Sequence, residues 1–229
     1  MEQNYMNVEL PEPKRTKKIA WLTVISDVFF VVALLIMLCY TIFTFTFEYH
    51  PVEGYSMQPT FNVNNISEDA VYMVRSKEYD IGEIVIAKHN KVLVIKRLVA
   101  LGGDKVNISY ENGECKIYVL RKGASQPLQV DYSFMGGIQE YGTYDDFVEY
   151  VQRYPSQCEN INGRIYINIP EGYVYYLGDN MKDNESEDCA DYGPVTQDYL
   201  VGKVRFVIYG RTNFIKQIFA QLINKPEYI

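Results

Sequence analysis

The feature that most limits what this chain can fold into is a run of twenty residues without a charge, Val28 to Phe47, reading VFFVVALLIMLCYTIFTFTF. Coiled as an α-helix, such a run rises about 30 Å, the thickness of a bilayer's hydrocarbon core. Ile19 to Ser26 extend it, and Asp27 interrupts it, read as an interfacial carboxylate near the cytoplasmic end. Lys14, Arg15, Lys17 and Lys18 stand just before it. Basic residues are retained on the cytoplasmic side, so the expected topology is single-pass in the cell membrane, with the N-terminus cytoplasmic and the remainder exported. The apolar part is too long for a cleaved leader, and Glu48-Tyr49-His50-Pro51 offers no small-x-small cleavage site. The buried helix of a soluble protein is the competing account, and length and flank both favour the membrane. The expected organisation is a cytoplasmic tail at 1–18, an anchor at 19–47 and an extracytoplasmic working domain at 48–229.

The working domain reads as short strands between turns. Ala70–Arg75, Ile84–Lys88, Val92–Ala100, Lys116–Leu120, Arg164–Ile169, Tyr173–Leu177 and Lys203–Tyr209 are rich in β-branched and aromatic residues. Gly102-Gly103-Asp104, Asn112-Gly113, Asn162-Gly163, Pro170-Glu171-Gly172 and Gly178-Asp179-Asn180 punctuate them. This pattern predicts a mainly β domain, a coiled antiparallel sheet with a barrel-like form. Residues 123–157 break the pattern and are read as an inserted subdomain with a short helix over Tyr144–Arg153. Phe214, Ile215, Ile218, Phe219, Leu222 and Ile223 recur with helical period, predicting a terminal amphipathic helix too brief to span a bilayer.

With a net charge of −7, the chain is not expected to bind nucleic acid through a basic surface. Its four cysteines form no CxxC pair and its only histidines are His50 and His89, so no zinc site is expected, nor any other cofactor. If the domain is exported, Cys115 and Cys158 could be bridged, and free thiols are an equal expectation.

Three segments carry residues suited to chemistry. In Gly54-Tyr55-Ser56-Met57-Gln58-Pro59-Thr60, Pro59 fixes its own φ and restricts Gln58, so Ser56 sits on constrained backbone. The segment begins soon after the apolar run ends, which puts any chemistry close to the outer membrane face. A serine nucleophile needs a base, and neither histidine has a triad-like context. A lysine does this work when apolar surroundings disfavour its charge. In Val92-Leu93-Val94-Ile95-Lys96-Arg97-Leu98, strand alternation gives Lys96 one face with Val92, Val94 and Leu98. Lys96 at a strand edge, snorkelling to water, is the equal alternative. Arg97 points the other way and stays protonated. The third segment, Gly178 to Asp188, is acidic. It lacks the Gly and terminal Glu of an EF-hand loop, and a solvated turn is its plain reading.

Taken together, the three segments resemble those of bacterial type I signal peptidases, Ser-Lys proteases that remove signal peptides from exported preproteins after a small-x-small motif. Gly54-Tyr55-Ser56-Met57-Gln58-Pro59 resembles that family's nucleophile box, and Val94 to Val106 resembles its lysine box. Tyr79 to Val85 is similar to the strand between them, and Gly178-Asp179-Asn180 through Gly193 to the last box. The resemblance implies Ser56 as nucleophile, Lys96 as general base and Ser186 orienting Lys96. It also implies that Asp179 pairs with Arg97 and that Asp188 supports the site from behind. At Gly54 some relatives carry a hydroxyl that serves the oxyanion, so this chain has only backbone to offer there. The implied partners are signal peptides and membrane lipid.

The last box departs from the family's pattern. Met181 and Ala190 stand where arginine is usual, and Cys189 stands for serine. Two extra residues separate Asn180 from Ser186, and Leu101-Gly102-Gly103-Asp104 replaces Leu-Pro-Gly-Asp. Asp188 is thus expected to lack its arginine partner. These departures leave a second reading, an inactive or specialised signal-peptidase-like membrane protein that binds exported substrates or assists surface assembly. A self-cleaving Ser-Lys repressor would need a DNA-binding domain where this chain has its apolar run. A scaffold without chemistry would leave Ser56 and Lys96 unreactive to directed probes.

Overall fold

The computed structural model describes residues 17–63, 65, 67–130, 142–182 and 186–210. The expected terminal helix, most of the expected tail and the middle of the insertion lie outside these. The chain divides into two units, Met1–Thr46 and Phe47–Ile229.

The first unit is the helix α1, Lys17–Thr46. Its described side chains from Trp21 onward are almost all exposed, and Trp21–Thr46 is long and apolar enough to cross a membrane, with mean hydropathy 2.7. In a bilayer's hydrocarbon core a hydroxyl would need a local partner. Thr41 and Thr46 donate back to Met37 and Ile42 carbonyls at 2.8 and 2.7 Å.

The second unit is mainly β, in two antiparallel sheets that do not close. It is therefore two open sheets and not a barrel. The larger contains β1 (Glu48–Pro51), β2 (Ala70–Arg75), β3 (Ile84–His89), β4 (Val92–Leu101), β10 (Tyr173–Leu177), β11 (Val195–Thr196) and β12 (Leu200–Ile208), ordered β1-β2-β12-β3-β4-β10-β11. The smaller contains β5 (Lys105–Glu111), β6 (Glu114–Leu120), β7 (Leu128–Gln129), β8 (Cys158–Ile161) and β9 (Arg164–Asn168), ordered β7-β6-β5-β9-β8. Among the described residues the unit also holds two α-helices, α2 (Gly142–Arg153) and α3 (Cys189–Tyr192). The expected strands all form, several of them longer than predicted, and α2 covers the expected helix in the insertion.

Three hairpins turn on residue pairs with both φ values positive: Asn112-Gly113, Asn162-Gly163 and Asn90-Lys91. The first two are the Asn-Gly pairs that favour such turns because their backbone twist matches that of the strands. The third has Lys91 at φ 70°, where a lysine gives no sequence signal.

The main core joins both sheets and both helices, through Val85, Leu98, Val106, Ile117, Ile167, Tyr175, Leu177, Phe147 and Cys189 among others. A second cluster holds Val52, Met57, Phe61, Val71, Met73 and Ile86. Val52 and Met57 stand on either side of Ser56 in sequence, and their burial, with that of Phe61, anchors the loop that carries it. Cys39, Cys115, Cys158 and Cys189 are all free thiols, so the bridged alternative for Cys115 and Cys158 is set aside.

Candidate active site

The loop from Val52 to Asp69 presents Ser56, which is half-buried. It is clasped by a residue that carries no sequence motif, Asn62, fully buried with φ 56°. Its Nδ2 donates to the carbonyls of Val52 and Gly54 at 3.0 and 3.2 Å. Its Oδ1 accepts from the N–H groups of Glu68 and Asp69 at 3.1 and 3.0 Å. The Asn62 N–H donates to Asp69 Oδ2 at 2.6 Å, and Gly210 N–H reaches Asp69 Oδ1 at 2.8 Å. One side chain thus ties four points of the loop. Only the enrichment of Asn at positive φ hinted at it. Gly54 has φ 86°, a conformation glycine adopts without steric cost.

Lys96 lies on β4, paired with Val85 of β3, and is 2% exposed. The strand-edge alternative is excluded by that burial. Alternation puts Lys96 among apolar side chains because β4 is apolar on both faces. Burial pushes its amine below lysine's ordinary range, against the opposing pull of the Asp188 carboxylate. The Lys96 Nζ donates to Ser186 Oγ at 2.9 Å. Ser186 Oγ in turn donates to Asp188 Oδ2 at 2.6 Å.

Asp188 is 2% exposed and is not left without partners by the missing arginine. Gly178 N–H donates to its Oδ2 at 2.8 Å and Ala190 N–H to its Oδ1 at 3.0 Å, the latter as N-cap of α3. Burial raises its pKa, and Lys96, Ser186 and the two N–H groups pull it down. The departing positions Met181, Cys189 and Ala190 are 3, 0 and 0% exposed, so apolar burial stands where the resemblance implied charge at Met181 and Ala190 and a hydroxyl at Cys189.

Two further contacts join the Ser56 loop to the last segment. Asn180 N–H donates to the Ser56 carbonyl and Asn180 Nδ2 to the Tyr55 carbonyl, both at 3.0 Å. Gly178 permits the close approach. A Cβ there would stand 2.2 Å from Ser186 Oγ and 2.5 Å from the Ser56 carbonyl oxygen. Ser56, Ser186 and, through Ser186, Lys96 thus converge on one backbone position. Among the described residues, no hydrogen bond joins Ser56 Oγ to Lys96 Nζ, and the Ser56 N–H donates to no partner.

Arg97 and Asp179 form a two-pronged pair, Nε to Oδ1 at 2.7 Å and Nη2 to Oδ2 at 2.6 Å, with side-chain exposures of 11 and 0%. Thr60 Oγ1 donates to the same Asp179 carboxylate, and Arg97 Nη1 to the Gly82 carbonyl at 2.9 Å. The pair therefore bolts β4, the Ser56 loop and the Gly178 turn together. The turn after β4 survives its altered sequence because buried Asp104 accepts from Leu101 N–H at 3.0 Å and Lys122 N–H at 2.9 Å. Among the described residues, no group of three His, Cys, Asp or Glu side chains could hold a metal ion.

A family model described as signal peptidase, peptidase S26, matches residues 22–209. Signal peptidase I of Bacillus caldolyticus is 30% identical over 172 residues, spanning 72% of this chain and 81% of that protein. Signal peptidase IB of Staphylococcus aureus is 28% identical over 167 residues, spanning 72 and 79%. A crystal structure of signal peptidase I from Enterococcus faecalis V583 covers 55% of this chain and 96% of its own, at 21% identity and a TM-score of 0.33, too low a score to bear on the fold.

Proposed function

The chain belongs to the signal peptidase family of peptidase S26 and is a signal peptidase hydrolase, and on that premise we propose that Ser56 is its nucleophile and Lys96 its general base. The observation that carries this reading is a lysine 2% exposed, bonded to a serine that is itself bonded to a buried carboxylate. A surface lysine is protonated at neutral pH and useless as a base. A dry one holds a lone pair available for a proton.

Neutral Lys96 spends a donor on Ser186 and keeps its lone pair for the Ser56 hydroxyl. On this reading the Ser56 side chain turns to the amine when substrate enters. Ser56 then attacks the scissile carbonyl, its proton passes to Lys96, and the leaving amine takes that proton as the acyl-enzyme forms. Water, deprotonated by the same lysine, then hydrolyses the Ser56 ester and releases the acyl fragment, the signal peptide, with Ser56 regaining its proton. The Ser56 N–H is the oxyanion donor, and at Gly54 only backbone is available to help. Ser186 and Asp188 orient the amine, and the Arg97–Asp179 pair holds the surrounding loops.

The substrate is an exported preprotein, read as an extended strand beside a sheet edge, cut after a small-x-small motif. The span Trp21–Thr46 is the membrane anchor, with the N-terminus cytoplasmic. Detergent-solubilised full chain should cleave a peptide bearing a small-x-small junction. Processing retained by folded Lys96→Ala would sink the dyad.

A further inference from the structure

The insertion, read from sequence without a role, sends α2 back onto the last segment of the site. The Thr143 N–H, in the first turn of α2, donates to the Met181 carbonyl at 3.3 Å. One face of α2 buries Phe147 and Tyr150, at 4 and 3% exposure, in the same core cluster as Met181, Cys189 and Ala190. Tyr150 rests directly on Gly193, the residue that ends α3. A Cβ on Gly193 would stand 2.3 Å from the Tyr150 hydroxyl oxygen and 2.4 Å from ring carbons. The same hydroxyl donates to Gln157 Oε1 at 2.5 Å, and the burial of the ring in the core cluster is what holds it in place.

The helix α3 is a single turn, and Asp188 is its N-cap. So short a helix has little stability of its own and takes its position from what packs on it. What packs on it is α2. Asp188 and Ser186 are therefore held between β10 below, through the Gly178 N–H, and α2 above, through α3.

We propose that α2 is a positioning element of the active site, in which Tyr150 on Gly193 and Thr143 on Met181 press the Asp188–Ser186 pair against Lys96. This rests on the reading of Lys96 as the base. The burial of Met181, Cys189 and Ala190 follows from it, since a helix laid over these positions leaves no water for charged side chains. Tyr150 acts through α3 and touches no reacting atom, so it is a positioning residue.

The test compares Tyr150→Leu, which removes the ring on Gly193, with Tyr150→Phe, which keeps it. Cleavage is measured per folded molecule across pH, on the full chain in detergent, and the Lys96 side-chain amine is titrated by NMR. Tyr150→Leu should lose about tenfold to a hundredfold in kcat with KM within about twofold, because small misplacement of a base is costly. Its acid limb and the Lys96 NMR midpoint should both move to higher pH as water reaches the amine, while Tyr150→Phe stays within about twofold of wild type. Unchanged kcat per folded molecule together with an unmoved Lys96 midpoint in Tyr150→Leu would overturn the proposal. If Tyr150→Leu does not fold, Thr143→Pro is read in the same way against Thr143→Ala, since proline is tolerated in a helix's first turn and the alanine variant loses the buried side chain while keeping the N–H given to Met181. The NMR midpoint needs no turnover. A wild type that cleaves nothing would therefore defeat the protease reading while the midpoint still decides whether α2 controls Lys96.

Discussion

Lys96 Nζ bonds Ser186 Oγ at 2.9 Å, across 90 residues of sequence. The contact holds an amine whose carbon stem could otherwise rotate, and it hands the buried Asp188 charge a hydroxyl in place of a direct ion pair. Replacing Ser186 by alanine should cost about tenfold to a hundredfold in kcat with little change in KM, since substrate binding does not depend on it. Steady-state kinetics on the folded variant checks this, and Ser186→Thr should recover much of the loss.

The pH dependence has a definite sign. Burial holds the Lys96 amine below lysine's ordinary 10.5. Cleavage should therefore rise with pH through that depressed value and not wait for 10.5. The unfolded chain binds a proton that the folded state has given up, so the Lys96 contribution to stability increases with pH between the depressed value and about 10.5. Lys96→Met removes that slope and should be at least as stable as wild type at neutral pH. Urea midpoints of both proteins at several pH values measure it, and a wild type that gains nothing on the variant as pH rises would contradict the burial argument.

The Arg97–Asp179 pair is the structural counterpart of the dyad. Asp179→Asn or Arg97→Met leaves the other charge buried, and each should destabilise by about 3 kcal/mol or more in denaturant titration. Because Thr60 shares the same carboxylate, the Asp179 variant should also lose cleavage beyond its loss of folded protein.

Asn62 is predicted to be the most sensitive polar residue of the nucleophile loop. Asn62→Ala strips four hydrogen bonds, two of them buried and two part-buried, and puts alanine, which lacks a side-chain polar group, at φ 56°. A loss of about 3 kcal/mol is expected. Asn62→Gly relieves the backbone and keeps the lost bonds lost, so the difference between the two variants in a denaturant series separates the two costs.

The opposite sign is expected at Lys91. It is exposed and stands at φ 70° in a hairpin that prefers glycine there. Lys91→Gly should stabilise by about 1 kcal/mol, read as a rise in melting temperature without a change in cleavage rate.

The apolar run, the strand pattern and the Asn-Gly hairpins were legible because each is a local property. Hydrocarbon length, alternation and positive φ are set by neighbours in the chain. Ser56 and Lys96 were singled out as candidates by the resemblance of their segments, since alternation alone left Lys96 equally at a strand edge. The hairpin at Asn90-Lys91 and the clasp of Asn62 were not legible, since neither residue type announces the role its backbone gives it. An expected orphan, Asp188, proved well supplied, because backbone N–H groups carry no side-chain signature.

What the sequence determined alone was the division into one apolar helix and a β domain, and the residue types available for chemistry. Whether Lys96 is dry, whether Asp188 has partners, and that an inserted helix lies over Met181 and Gly193 were decided only by the tertiary structure. Dryness and hydrogen-bond satisfaction are sums over neighbours from distant parts of the chain, and folding alone brings those neighbours together.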